Sequence, residues 1–593
     1  MVIPSRWECP IPVCSLPKWV FGSSFDPLPD TPQFMDPEAP ESRFITRAGH
    51  RLWSKRVALG LQRAGLKPGD RVLLFSGNNL FYPVVFMGVL MAGGIFTGAN
   101  PSFVARELAY QLQDSGARIL IAADASMEIA MAAAQEVGLP RSCVYSFDVT
   151  GLGLKGDGRG KGKGTEEVGK ARLGSRHWTE LLASEQDGEA FDWIEPAAPQ
   201  ETTCCLNYSS GTTGVPKGVE ISHYSYVANG VQVQFLEELD PDFLEKRKTH
   251  RQLCYLPCYH AYGQTFYMCN FPRKGTPVYI MPSFDFEKML QYIEKYRISH
   301  IVAVPPIIVL LAKHPSSRKY DLSSIQAVGS GAAPLGLEVS DEVSKLWPAG
   351  AITVRQGWGM TELTCSATSW HPEEVWRTTS VGEMMPNCKA RLVRSRTTHT
   401  RPDGGSEEEL EEITTANERG ELWVSSPTLM RRYWRKPEAT AQTIHVDGTT
   451  GTRWLRTGDV AYVEAYEPGG KLHIVDRIKE LIKVKGNQVA PAELEAVLLD
   501  HAGVADAAVV GVTVGGEELP RAYVVPKADA PPVSESEIAK WMETRVVRYK
   551  WLKGGVKFID AIPKNPSGKI LRKQLRELAA KEVGDSKPAS SKL

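Results

Sequence analysis

Residues 72–105 carry no charged side chain. So long an uncharged run leaves a chain two options: a lipid bilayer, or a protein core closed on every side. Within it, FYPVVFMGVLMAGGIFTGANP is interrupted by Pro83, Gly88, Gly93, Gly94 and Gly98 and flanked by Asn78, Asn79 and Asn100. These residues break a spanning helix. The run reads as a buried helix followed by a buried strand, which needs a large core around it. Elsewhere RVLLFSG, RILIAAD, TPVYIMP, HIVAVPP and IQAVGSG are short β-branched runs ending in Gly, Pro or Ser, while ARELAYQLQDSG and FEKMLQYIEKYRI have helical spacing. The alternation predicts an α/β fold with helices covering β-sheets.

The 593 residues are enough for two to four domains. A formal net charge of zero, from 69 basic and 69 acidic residues, does not advertise nucleic acid or an acidic membrane surface as a partner. Ten cysteines lack a disulfide-framework spacing, and MVIPSRWECPIPVC has no basic segment before an apolar run. Reduced thiols and no secretory signal are expected. Cys254, Cys258 and His260 in CYLPCYH look like metal ligands, but no second Cys/His pair follows at a zinc spacing, so no metal is expected there. Three stretches look inserted: a Gly/Lys-rich loop (151–174), the charged ELDPDFLEKRKTHRQ as an exposed helix end, and the acidic HTRPDGGSEEELEEITTANERG. A smaller domain is expected to begin after KLHIVDRIKELIKVKGNQVAPAELEAVL, itself a strand, a basic turn and a helix with Pro491 suited to the helix N-terminus; VADAAVVGVTV and RAYVVPK read as strands and ESEIAKWMETR as a helix. The polar end closes on Ser591, Lys592 and Leu593, which predicts a peroxisomal address read by an import receptor; a chance ending on a cytosolic protein is the alternative.

YSSGTTGVPKG, residues 208–218, has a phosphate loop's composition without the common G-x-x-x-x-G-K-[ST] order; Gly218 stands where a magnesium-binding hydroxyl would follow the lysine. Its glycines let backbone N–H groups approach an anion, its hydroxyls add donors and Lys217 adds charge. A polar surface loop has the same composition. GSGAAPLG is a weak dinucleotide match spoiled by Pro334, and suits a turn over a flat ring better. QGWGMTEL sets Trp358 between two glycines, where a purine can lie on its ring, with Thr361 and Glu362 behind for phosphate and magnesium. WLRTGDV places Asp459 where a carboxylate can take both hydroxyls of a ribose, and PKNPSGKILRK carries Lys569 on a Pro/Gly loop that a solvated basic end would also explain.

Taken in order, YSSGTTGVPKG, LPCYHAYGQ, GSGAAPLG, QGWGMTE, WLRTGD, DRIKELIKVKGNQVAPAELE and PKNPSGKILRK closely resemble the motifs of the adenylate-forming superfamily of acyl-CoA synthetases, peptide-synthetase adenylation domains and luciferases. The likeness is greatest to 4-coumarate–CoA ligases and fungal aryl- and acyl-CoA ligases, and runs from about residue 40 to 580. It implies a large N-terminal domain (1–477) of helix-covered sheets with a β-barrel-like subdomain, a small mobile α+β C-terminal domain (478–580) and a flexible tail (581–593).

The resemblance also implies a reaction. A carboxylate attacks the α-phosphate of MgATP, giving an acyl-adenylate and pyrophosphate; coenzyme A then displaces AMP to give a thioester. Two anions meet in the first step, so cations and directed donors matter more than proton transfer. By resemblance Ser209, Ser210, Gly211, Thr212, Thr213, Gly214 and Lys217 hold the outer phosphates, Glu362 holds Mg2+ and Thr361 touches the α-phosphate. Trp358 stacks on adenine in a slot with Ala333, Gln356, Gly357 and Gly359. Asp459 and Arg477 bind ribose, and Lys479 and Lys483 complete the nucleotide set. Lys569 bridges the attacking carboxylate and the α-phosphate. His260 lies beside an acid pocket walled by Tyr259, Tyr262, Gly331, Gly359, Cys365 and Ser366. Lys479 is the hinge, Lys485 and Gly486 meet coenzyme A with Lys483 and Gln488 on the same face, and Ser283 replaces a lysine used near coenzyme A. After GMTE the plant coumarate ligases read roughly Ala-Gly-Pro-Val where this chain has Leu363, Thr364, Cys365 and Ser366. The acid is therefore left open among cinnamate-like, phenylacetate-like and medium-chain acids. A carrier-loading adenylating enzyme, a luciferase-like oxygenase and a non-enzymatic ATP binder are the other functions this pattern admits.

Overall fold

In a computed structural model of the chain, the uncharged run folds as the strand Arg71–Phe75, the helix Tyr82–Met91 and the strand Ile95–Ala99. Every residue of that helix and of the second strand is buried. The structure describes residues 1–149, 171–193, 195–209, 215–374, 377–400, 406–484, 487–514, 517–528, 530–565 and 568–584. Most of the Gly/Lys-rich insertion, residues 210–214 of the phosphate loop, Lys485, Gly486 and the terminal Ser591, Lys592 and Leu593 lie outside them. Among the described residues no helix is long and apolar enough to cross a membrane.

The two central strands pair in parallel, Arg71 opposite Ile95 through Phe75 opposite Ala99, inside a seven-stranded sheet. Ile119–Ala123, Val144–Phe147 and Arg176–His177 extend it on one side. Thr203–Ser209 and the antiparallel edge strand Lys217–Ser222 extend it on the other. Parallel strands need crossovers that cover both faces, so these strands read as apolar runs. The predicted helices are present as Ala105–Ser115, ended by left-handed Gly116, and Phe286–Tyr296, ended by left-handed Arg297. Helix Arg47–Arg63 packs on Tyr82–Met91 so closely that a Cβ on Gly88 would stand 2.7 Å from Val57 Cγ1.

A second group of strands runs Phe44–Thr46, Pro32–Met35, Val278–Ile280 and Gln252–Cys254. Beside it His300–Ala303, Ala327–Ser330 and Val354–Gln356 form a parallel triplet, so all three carboxyl ends lie along one edge. The expected barrel-like subdomain is a seven-stranded antiparallel sheet built on Lys389–Thr400, Gly420–Ser425 and Arg453–Val463. The acidic excursion is itself partly a strand, Ser406–Glu412, paired with Lys389–Thr400. Among its described acids, Glu412 pairs across the sheet with Arg391 at 2.9 Å and with the Met1 ammonium at 2.5 Å.

Toward the C-terminus, helix Pro491–Leu499, hairpin Val504–Val514 with Glu517–Pro526, strand Val556–Phe558 and helices Glu535–Glu543 and Arg572–Gly584 pack around cores of their own. Pro491 is the first helical residue, as its sequence position predicts. Asp476, on the preceding strand Leu472–Arg477, accepts the Ala492 amide at 3.1 Å and so caps this helix. Val460, Leu481 and Ala490 form a small apolar cluster between these cores and the larger one.

Gly60 lies where helix Arg47–Arg63 meets Leu181, and an added Cβ would stand 1.9 Å from the Leu181 carbonyl oxygen. That neighbour is backbone and cannot move aside. Gly60→Ala is expected to lower unfolding stability by about 1–3 kcal/mol; a denaturant midpoint equal to wild type would refute this close approach.

Candidate active site

Each carboxyl end of the parallel triplet delivers a candidate segment, as open α/β sheets generally do. The strand ending at Ala303 passes to Val304, that ending at Ser330 to Gly331, and that ending at Gln356 to Gly357. The Gly331 amide donates to the Ala303 carbonyl and the Gly357 amide to the Ser330 carbonyl, which ties the three ends together. The Gln356 side chain accepts from the Leu335 amide at 2.9 Å and donates to its carbonyl at 3.0 Å. Its amide thereby fixes the GSGAAPLG turn, with one N–H and one lone pair still to spare. Ala333 stands exposed at the turn's tip.

Asp459 and Arg477 face each other across paired strands, with Arg477 Nε 3.2 Å from Asp459 Oδ1. The other oxygen, Oδ2, accepts from the Trp358 indole N–H at 2.8 Å. Oδ1 is buried and makes no well-directed hydrogen bond among the described residues. One ready acceptor therefore lies beside a flat aromatic wall, as a sugar hydroxyl requires. Burial pushes the Asp459 carboxyl up, while Arg477, the Trp358 bond and Lys569 pull it down.

Lys569 comes to this cluster from the distant loop before helix Arg572–Gly584. Its amide donates to Asn565 Oδ1 at 2.9 Å and its carbonyl accepts from the Asn565 amide at 2.9 Å. Gly568, at φ +78°, lies against the end of the triplet: a Cβ there would be 2.6 Å from Val304 Cγ2. Two further contacts hold the same seam. Lys313 Nζ donates to the Leu499 carbonyl at 2.9 Å, and Gly336 lets Ala496 approach to 3.4 Å of where its own Cβ would be. Burial first, and then Arg477, bring the Lys569 ammonium down to about 8, against the pull of Glu480 and Asp459. His260 is lowered to about 4 by burial and by Lys569. At neutral pH it is an uncharged imidazole. Its Nδ1 faces the Tyr262 amide at 3.4 Å, which leaves Nε2 to carry the proton and donate.

On the other side, Glu362 is buried on the short helical turn Thr361–Leu363. Its Oε1 accepts from the Tyr433 hydroxyl at 2.8 Å, and Lys217 Nζ lies 4.8 Å from the centre of the Tyr433 ring. Ser209 and Lys217 are opposite one another in the strand pair that brackets residues 210–214. Gly218 has a packing reason to be glycine: a Cβ would be 3.2 Å from the Tyr208 ring and 3.3 Å from Trp434 Cβ. No group of three or more His, Cys, Asp or Glu side chains stands together in a metal-holding arrangement among the described residues. A buried carboxylate such as Glu362 suits a hard cation that keeps waters and phosphate oxygens as its other ligands.

The segment that the resemblance assigns to the acid pocket is built on helix Gly263–Asn270, wound with the wider π spacing that often marks functional segments. Tyr262 stacks on Phe266, ring centres 4.5 Å apart. Gln264 accepts from the Tyr226 hydroxyl at 2.5 Å and donates to the Tyr259 carbonyl at 3.0 Å, which fixes the segment after His260. Opposite, Thr364 adopts φ 66°, ψ −55°, and the Cys365 amide closes a tight turn onto the Leu363 carbonyl at 2.7 Å. A β-branched residue is strained there by about 1–3 kcal/mol; its hydroxyl bond to the Thr428 carbonyl, 2.8 Å, helps to hold it. The turn pushes the Cys365 carbonyl to 1.9 Å from where a Gly359 Cβ would be, so Gly359 admits no side chain. Burial raises the Cys365 thiol to about 11, so it is a neutral wall. Cys254 and Cys258, next to this region, are buried with sulfurs 3.6 Å apart.

Lys479 lies in the turn after strand Leu472–Arg477, while Lys483 and Gln488 are exposed on the hairpin Ile482–Val484 with Asn487–Val489. Ser283 is exposed. Two participants had no sequence motif to reveal them. Tyr433, in RRYWRK, joins Glu362 to Lys217, and Val304 forms the wall that only a glycine at 568 can approach.

A family model described as "AMP-binding enzyme" matches residues 27–434, and one for the "AMP-binding enzyme C-terminal domain" matches 493–569. Acyl-CoA ligase azaF of Aspergillus niger is 35% identical over 572 residues, covering 95% of this chain and 98% of its own. Phenylacetyl-CoA ligase epaB of Aspergillus niger is 34% identical, covering 96% and 97%. The crystal structure of ATP-bound MatB from Rhodopseudomonas palustris aligns with a TM-score of 0.75 at 25% identity, covering 96% of this chain and 99% of that one.

A lysine lowered to about 8 is reactive well below the ordinary lysine range near 10.4. Above about 8 the free amine predominates, so trace acetylation of Lys569 should titrate with a midpoint near 8. A midpoint near 10 would show that the amine is solvated and outside the cluster.

Proposed function

The chain belongs to the family of AMP-binding enzymes and is an ATP-dependent acid–thiol ligase of the acyl-CoA synthetase type; from that premise we propose how its own residues divide the two half-reactions and which acids it takes. The overall reaction is carboxylic acid plus ATP to acyl-adenylate and pyrophosphate, then adenylate plus coenzyme A to thioester and AMP. The observation that carries the division of labour is the meeting of Lys569, His260, Asp459 and Arg477 at the edge of the parallel triplet.

In adenylation, residues 209–214 and Lys217 hold the outer phosphates and Thr361 the α-phosphate. Asp459 and Arg477 fix the ribose, and Trp358 lies against adenine in the slot with Ala333, Gln356, Gly357 and Gly359. Lys569 spans the attacking carboxylate and the α-phosphate. Its lowered proton affinity reflects a cation already stripped of water, which favours binding of anionic groups there. The neutral His260 donates Nε2–H toward the acid, orienting it without adding charge. Glu362 would hold Mg2+, which supplies positive charge to the phosphate oxygens.

For thioester formation the domain after residue 477 must turn away, removing Lys569 and bringing in Lys485 and Gly486 with Lys483; Lys479, in the turn after the last strand of the antiparallel sheet, is the hinge. The separate apolar cores on either side of residue 477 support that division. The acid is an aryl acid of cinnamate or phenylacetate type or a medium-chain acid, held between Tyr259, Tyr262 and Gly331 on one side and Cys365 and Ser366 on the other. A panel of such acids, scored for ATP-dependent pyrophosphate release with and without coenzyme A, tests this. Thioester formation supports the reading, and pyrophosphate release with no thioester overturns it.

Lys569→Ala should slow adenylation by about 10²–10³-fold while leaving thioester formation from preformed acyl-adenylate near wild type; equal losses would remove its assigned role. Gly568→Ala should show the same asymmetry in weaker form, because its Cβ meets Val304 only in the adenylation arrangement. Lys479→Pro fixes φ at the hinge and should do the reverse, sparing pyrophosphate release and blocking thioester formation. Full ligase turnover in that variant would refute the hinge.

A further inference from the structure

We propose that the acid pocket continues into a second, positively charged compartment, and that the preferred acid carries another anionic group at the end remote from the carboxylate it activates. The proposal rests on the acid-ligase reading above and names the class of acid, an α,ω-dicarboxylate or its aromatic counterpart.

A cavity of about 360 Å³ lies beyond the pocket walls, within the size range of small-molecule sites. Phe266 and Ser366 line it. Phe266 is the ring stacked on Tyr262, and Ser366 directly follows Cys365, so the cavity abuts the acid pocket on both sides. It has an apolar part, with Val233, Leu236 and Met385, and a charged part, with Arg247, His250, Lys274, His300 and Arg355 alongside the acids Glu237 and Asp240. Arg247 is exposed at the surface. An acid reaching from Lys569 past Tyr262 would lay an apolar body along the first part and its far end against the second.

The charges there do not cancel. Lys274 is neutralised by Glu237 at 2.6 Å, and Lys246, at the rim, by Asp240 at 2.6 Å. Arg355 donates only to backbone, to the carbonyls of Pro372 at 2.5 Å and Glu374 at 3.1 Å, and Arg247 to the Lys274 carbonyl at 2.9 Å. Neither guanidinium has a carboxylate within 4.0 Å among the described residues. His250 and His300 stack with ring centres 4.2 Å apart. Burial lowers both, and every charged neighbour acting on them, Lys246, Arg247, Lys274 and Arg355, lowers them further. Arg355 feels Asp240 and Glu374 only from beyond ion-pair distance, and both of these acids already hold a lysine, Lys246 and Lys471. Two guanidinium groups without a carboxylate in contact, beside two neutral imidazoles, leave the space at positive potential, with planar donors suited to a carboxylate.

The test compares matched acids with the full chain. Monocarboxylic and α,ω-dicarboxylic acids of six to twelve carbons, and 3-phenylpropanoate against its para-carboxylated analogue, are assayed for kcat/KM of ATP-dependent pyrophosphate release. At the best-fitting length the diacid should be preferred by about tenfold or more. Arg355→Met and, separately, Arg247→Met at the exposed rim should each erase most of that preference while leaving the monoacid value within about twofold. A monoacid preferred at every length, or variants that lower both members of a pair equally, would overturn the proposal and leave the ligase reading intact. Pyrophosphate release with no acid of either kind would overturn both.

Discussion

A single ammonium group, drawn out of water between two separately packed bodies, is the constraint on which the arrangement of the site depends. Moving a cation into a cleft is unfavourable by several kcal/mol unless partners replace its hydration. The surroundings of Lys569 replace it only in part. Asp459 and Glu480 favour the charge, Arg477 and Arg572 oppose it, and burial outweighs them all. The cluster is left short of negative charge by the fold, which is what the proposed binding of the reacting anions would use.

The seam around that lysine explains how such a cluster is held in place. Arg572 binds Glu495 at 2.7 and 2.8 Å and Glu480 at 3.4 Å, and Asp476 caps the helix that carries Glu495. Burial lifts Glu495 to about 7, so its negative charge depends on Arg572 staying beside it. Such a network gives little net stability but strongly specifies orientation, since breaking it leaves buried charges unpaired. Contact with the larger body is lighter, through Lys313 on a carbonyl, Gly336 against Ala496 and Gly568 against Val304. A small contact of this kind can be released and remade, as a two-step reaction in one cleft requires.

Much of the fold was legible along the chain because its signals are local. The uncharged run, Pro491 at a helix start and the β-branched runs before Pro305 and Gly331 each depend on a few neighbouring residues. The acidic stretch has no local strand signal; Ser406–Glu412 becomes a strand by pairing with Lys389–Thr400, where Arg391 meets Glu412 and Arg394 meets Glu411. The motif residues announced themselves, whereas their supports did not. Tyr433 behind Glu362, Gln264 behind Tyr259 and the Gln356 grip on Leu335 are contacts between segments far apart in sequence or with no motif of their own.

The sequence by itself determined the chemistry: which cations, hydroxyls and carboxylates are available, and in what order they occur along the strands and turns. Only the tertiary structure decided which of them act together. It set Lys569 beside His260, strained Thr364 so that Cys365 crowds Gly359, and joined an apolar pocket to a charged compartment. The physical reason is range. Secondary structure and capping are fixed within a few residues, while desolvation and charge balance are properties of a volume, and distant parts of the chain fill that volume only once it has folded.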